Sequence, residues 1–182
     1  MYKRQRFAIY DLEHPLFNVI NGGTIKNINF ENVDINRPYQ NQIATLGFNL
    51  KNKGLIEDVK VTGSVTGNND VAGIVNKIDE DGKIENVAFV GKINSVGNNS
   101  TVGGIAGSNY MGFVNRAYVD ATITAQNANA SMLVPFVTYM LNSWKSGTKA
   151  KVTNSVAKGV LDVKNTRNVG GIVAKTWPYG AV

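Results

Sequence analysis

The apolar positions of this chain recur in a fixed order. Taking the first apolar residue of each copy as its anchor, the copies begin at Ile25, Ile56, Ile84, Val114 and Val152. Three residues on stand Ile28, Val59, Val87, Ala117 and Ser155, and five on stand Phe30, Val61, Phe89, Val119 and Ala157. Nine on come Val65, Ile93, Ile123 and Leu161; the first copy arrives one residue late, at Ile35. Lys, Glu, Asn and Thr fill the positions between. Short-period alternation rich in Val and Ile predicts strands with one face inward. Successive anchors lie 31, 28, 30 and 38 residues apart. A period in this range predicts stacked units.

A shorter element lies between the anchors: Val71-Ala72-Gly73-Ile74-Val75, Val102-Gly103-Gly104-Ile105-Ala106 and Val169-Gly170-Gly171-Ile172-Val173. Glycines two residues before the anchors (Gly23, Gly54, Gly82 and Gly112) and in the short elements (Gly73, Gly104 and Gly171) mark corners. Left-handed backbone costs glycine least, so these are the expected turning points. Stacking such units pairs each strand with its equivalent in the next coil, parallel and in register. The expected fold is therefore all-β: a parallel β-helix solenoid of about 30-residue coils, right-handed by the general preference of parallel crossovers.

Residues 1–182 read as a single repeat domain. Residues 1–22 are expected to cap it or to form a partial coil, because a solenoid needs its open end covered. Regular coils follow over 23–126, an irregular coil with an insertion over 127–151, and the last coils, incomplete, over 152–182. The unfinished final repeat reads as a fragment of a larger protein. In the irregular coil Pro135 takes the place of a corner glycine. The apolar run after it is expected to allow a short helix near 137–150, ended at Ser146-Gly147.

Two polar files accompany the repeat. Two residues after the anchors stand Asn27, Asp58, Asn86, Arg116 and Asn154. Coils about 4.8 Å apart would let these side chains hydrogen-bond along the stack as a ladder. Arg116 departs from it and is expected to pair with a carboxylate such as Asp58. One residue after the anchors stand Lys26, Glu57, Glu85, Asn115 and Thr153. A carboxylate pair such as Glu57 and Glu85 is what a polysaccharide lyase or hydrolase would need. Lys26 sits in the same file and no His, Arg or aromatic cluster surrounds the pair, so a solvated mixed-charge file is the favoured reading.

Composition narrows the chemistry. The chain has 182 residues, 43% of them hydrophobic, which is enough for a full core. No apolar run is long enough for a membrane-spanning helix, and the N-terminus lacks a signal-peptide pattern. There is no Cys, and His14 is the one histidine, so neither a structural zinc site nor a His-based triad can be drawn. The expectation is no catalytic residue, no metal ligand and no cofactor. Asp79-Glu80-Asp81-Gly82 resembles the start of a calcium loop, but Lys83 and Val90 stand where oxygen ligands belong, which leaves a plain turn. The net charge of +6 is spread along the chain without the basic–aromatic clustering of a nucleic-acid binder. The nearest approach to such a cluster is Tyr139, Trp144, Lys145 and Lys149, with Lys151 beside them. These form the candidate protein-contact surface, although Trp144 equally suits core packing under a loop.

The Val-Gly-Gly-Ile units, alternating with Gly-x-Ile-x-Asn-Val strands, resemble the GLUG repeat of bacterial surface proteins. The stretch from Pro15 to Ile28 is similar to the β-helical region of streptococcal, cell-wall-anchored zinc metalloproteases of the immunoglobulin A1 protease type. The resemblance covers roughly residues 7–176. It implies a non-catalytic part of such an enzyme, whose zinc and H-E-x-x-H motif belong to a separate C-terminal catalytic domain; no position here matches that motif. The implied partners are that catalytic domain and immunoglobulin A1, with the module acting as a monomer at the bacterial surface, without nucleic acid or membrane insertion. Two other readings stand beside it: a passive spacer or adhesin module, and, further off, a β-helix polysaccharide lyase.

Overall fold

The computed structural model describes residues 7–98, 100–140, 150–166 and 168–179. Strands β1 (Phe7–Tyr10) and β2 (Val19–Asn21) come first. Coils of similar build follow. One holds β3 (Thr24–Arg37), β4 (Ile43–Ala44) and β5 (Gly47–Lys51). The next holds β6 (Leu55–Gly67), β7 (Val71–Ala72) and β8 (Val75–Ile78), and then come β9 (Lys83–Ser95), β10 (Thr101–Gly103) and β11 (Ala106–Asn109). A further coil has β12 (Phe113–Gln126), β13 (Asn129–Ser131) and β14 (Phe136–Met140). The last has β15 (Lys151–Thr153), β16 (Val156–Lys164), β17 (Asn168–Gly170) and β18 (Lys175–Tyr179). Like strands of successive coils pair in parallel to give three sheets, one of long strands and two of short ones. The chain is a parallel β-helix.

Register follows the repeat. Ile56 pairs with Ile84, Val61 with Phe89 and Val65 with Ile93. The inward positions of the middle coils are sealed: Phe30, Val61, Phe89 and Val119 have no exposed surface, nor do Ile56, Ile84 and Val114. Ile25 and Val152, the first and last anchors, are partly buried against the same core. Fully burying side chains of this size contributes roughly 1.5–3 kcal/mol each. The late first copy has a local cause: Asn32 adopts a left-handed conformation (φ 57°), and the β3–β6 register shifts between Phe30 and Val33.

The corners differ from expectation in their chemistry. Besides Asn32 and the glycines Gly63, Gly91 and Gly159, the positive-φ residues along the long strands are the polar file itself, Asn27, Asp58, Asn86, Arg116 and Asn154, with φ between 48° and 57°. Asn and Asp tolerate this region best after glycine, which accounts for four of the five. Gly54, Gly82 and Gly112 are not left-handed and are required by closeness instead. A Cβ on Gly112 would lie 2.1 Å from Ile78 Cγ2, and one on Gly82 would lie 2.7 Å from the Leu50 carbonyl oxygen. Gly73 and Gly104 follow the same rule, with Cβ positions 2.2 and 2.0 Å from a backbone oxygen of the next coil. In the first copy Gly22, not Gly23, has positive φ, and Gly171 has open space around it.

The start of the expected helix is also strand. Residues 136–140 form β14, paired with β11 on one side and β18 on the other. Neighbouring strands on both edges can take its backbone donors and acceptors, which outweighs the unpatterned apolar run that allowed a helix. Residues 141–149 lie outside the described residues.

Candidate functional site

The side-chain chemistry of the solenoid is concentrated where the polar ladder breaks. Asn86 Nδ2 donates to Asp58 Oδ1, as a ladder requires. At the next coil the file holds Arg116, whose guanidinium reaches Glu85 at 2.5 Å rather than Asp58. The reason is distance along the stack: Asp58 is two coils away with Asn86 between, whereas Glu85 lies in the adjacent coil. Asn115 Nδ2 also donates to both oxygens of Glu85, at 2.8 and 3.1 Å. Asn154 then turns to Asn115 Oδ1 (2.9 Å), which also accepts from the Thr153 hydroxyl (3.0 Å). Glu85 is thus the focus of a network spanning three coils. Glu57 stands directly beside it in the β6–β9 register.

Alongside this network runs a shallow groove. Lys83, Phe113 and Lys151 line one side, facing one another in register, and Glu85, Asn115 and Thr153 line the other. Lys83 and Lys151 are exposed and Phe113 is half-buried. The Lys151 ammonium lies 5.8 Å from the centroid of the Phe113 ring. Beneath them Asn109 is completely buried. Its Oδ1 accepts from the Gly112 N–H at 2.8 Å, and its Nδ2 donates to the carbonyls of Gly112 (3.0 Å) and Lys151 (3.4 Å). Its neighbour in register on β8 is Ile78. A buried amide that follows Ile20, Leu50 and Ile78 in its file thus fixes the backbone that carries Phe113 and Lys151.

Of the candidate contact residues, Tyr139 lies on β14 opposite Pro178. Trp144, Lys145 and Lys149 lie outside the described residues. The groove residues Lys83, Phe113 and Asn109 were not singled out by periodicity. The available signal was the file preceding the anchors, where Phe113 stands between two lysines. The acidic turn is closed locally: Asp79 pairs with Lys77 at 2.7 Å and accepts from the Glu80 N–H at 3.1 Å. No group of three His, Cys, Asp or Glu that could hold a metal ion occurs among the described residues. No helix there is long and apolar enough to cross a membrane. On the outer face Asp120 holds the exposed Lys158 ammonium above its ordinary value through a 3.1 Å hydrogen bond and its charge.

The class this architecture defines is a β-helical solenoid module with charged and amide-bearing outer files. Residues 2–63 match the family model of the M26 IgA1-specific metallo-endopeptidase N-terminal region. The chain is 54% identical over 180 residues to zinc metalloprotease ZmpB of Streptococcus pneumoniae serotype 4, with 98% of the chain covered. It is 32% identical over 182 residues to ZmpC of the same strain and 27% identical over 179 residues to the immunoglobulin A1 protease of Streptococcus sanguinis, with 97% and 95% of the chain covered. It spans about 9% of the length of each of these relatives. A solved IgA1 protease structure superposes with a TM-score of 0.62 at 21% identity, covering 97% of this chain and 16% of that one, which supports the fold. The chain belongs to the family of streptococcal zinc metalloproteases of the immunoglobulin A1 protease type, over a stretch related to their N-terminal region.

Proposed function

We propose that this chain is a non-catalytic module of a secreted or surface-held streptococcal metalloendopeptidase, and that it docks an immunoglobulin substrate for a separate catalytic domain. The observation that carries this reading is a rigid stack presenting outer side chains at fixed intervals of about 4.8 Å, in a chain related to proteins named zinc metalloprotease and immunoglobulin A1 protease. A solenoid of this kind holds a broad surface in place without ordering cost on binding. Zinc chemistry belongs, in this reading, to the catalytic domain.

The test replaces this region, in the full-length protease, with an unrelated β-helix of equal length and measures cleavage of immunoglobulin A1. A docking module predicts a raised KM for the intact immunoglobulin with turnover of a short peptide substrate unchanged. Undiminished cleavage of the intact immunoglobulin would make the region a passive spacer.

A further inference from the structure

The groove at the break in the ladder carries an inference that rests on the docking reading and gives it a place and a chemistry. We propose that the Lys83–Phe113–Lys151 groove binds an acidic polypeptide segment in an extended, polyproline-II-like conformation.

Three observations converge there. Charge is the first: Lys83 and Lys151 line the groove against one carboxylate, Glu85, which is already taken up by Arg116 and Asn115. Glu57 lies one coil further along the file of Glu85, away from Lys151. Among the described residues no carboxylate pairs with either lysine; both are exposed and flank an aromatic ring. Geometry is the second. Lys83 and Lys151 belong to coils two steps apart, so their backbones are separated by about 10 Å along the stack. In a polyproline-II segment, residues i and i+3 return to the same side after roughly 9.3 Å. Two carboxylates at that spacing would meet both lysines, with the intervening apolar residues over Phe113.

The third observation is structural cost. Arg116 is a long side chain in a left-handed conformation (φ 52°) at a position otherwise held by Asn or Asp, and such a residue is strained relative to them. Asn109 is a buried polar residue between Ile78 and Val137 in register, and it braces the Gly112 and Lys151 backbone. Both departures from the repeat lie beside the groove: Arg116 occupies its one carboxylate, and Asn109 holds the backbone that carries Lys151.

The probe is a fluorescein-labelled peptide of three Glu-Pro-Pro units, titrated into the 182-residue chain at low salt and followed by fluorescence anisotropy. Saturable binding is expected, weakening as salt rises. It should weaken about tenfold for the Gln-Pro-Pro version, and by a similar factor for Lys83→Glu combined with Lys151→Glu. A control pair on the same sheet, Lys92→Glu with Lys164→Glu, should leave binding unchanged, with folding of every variant checked by circular dichroism. Absence of saturable binding, or binding that survives reversal at 83 and 151, overturns the proposal. Binding of a sulfated dextran at the groove without the peptide overturns it too, in favour of a glycan. If the peptide test fails but the coil replacement still raises KM, docking stands and its surface lies elsewhere. If the peptide binds at the groove but the replacement leaves cleavage intact, the groove stands and the docking reading falls.

Discussion

The middle coils and the last coil carry the same motif and meet different fates. Val71, Val102 and Ala130 are fully buried on adjacent short strands, yet Val169, the next residue in that register, is 47% exposed. Ile74 and Ile105 are fully buried, whereas Ile172 of the third Val-Gly-Gly-Ile-like unit is 39% exposed. On the long strands Phe89 and Val119 are sealed and Ala157 is only partly buried. In a solenoid a side chain is closed off by the coils on both sides of it, and within these 182 residues the last described coil is paired on one side only. A residue's own identity decides which way it points, and its neighbours decide what that is worth.

The long strand of the last coil is also interrupted, and Ser155 explains how. In the file that holds Val59, Val87 and Ala117 it places a hydroxyl, which accepts from the Ala117 N–H at 3.0 Å and donates to the Thr153 carbonyl at 2.7 Å. These bonds stand where strand pairing runs unbroken between β6 and β9 past the corner, and they separate β15 from β16.

The sharpest way to break this comparison is a charge at equivalent depths. Ile84→Asp puts a carboxylate into a file with no exposure, at a cost of about 4–5 kcal/mol or more. That is comparable to the whole stability of many domains, so the cooperative thermal transition should be lost. Ile172→Asp should cost about 1 kcal/mol or less and leave the transition in place. Equal melting of the two variants would contradict the inward assignment of the anchors. A smaller effect separates two glycines. Gly104→Ala meets the Met132 carbonyl oxygen at 2.0 Å, which only a backbone shift can relieve, and should destabilise by about 1–3 kcal/mol in urea unfolding. Gly171→Ala meets nothing within 4 Å and should be neutral within about 0.5 kcal/mol.

The sequence made the coil period legible because the inward files are simple: Phe30, Val61, Phe89 and Val119 keep one chemical character over a fixed interval. Even the late Ile35 of the first copy was a true signal, with its bulge at Asn32. The corner chemistry was harder to read. Glycine near a turn suggests positive φ, but at Gly82 and Gly112 the demand is for space between coils, which depends on Leu50 and Ile78. The strand at 136–140 was obscured because its apolar run has no helical or strand period, and its state is decided by β11 and β18. Partner choice in the ladder was only half legible for a similar reason: Arg116 pairs with a carboxylate, as expected, but with Glu85 of the adjacent coil, because Asp58 is two coils away. Asn109 gave no periodic signal, since its importance comes from the Gly112 and Lys151 backbone groups that it satisfies.

The docking claim is tested most directly by following backbone amide shifts of this chain as immunoglobulin A1 is added. The account predicts saturable shifts or broadening centred on Lys83, Phe113, Arg116 and Lys151, with the face around Lys92 and Thr122 unchanged. A spectrum that stays the same at high immunoglobulin concentration, or changes confined to another face, would contradict it.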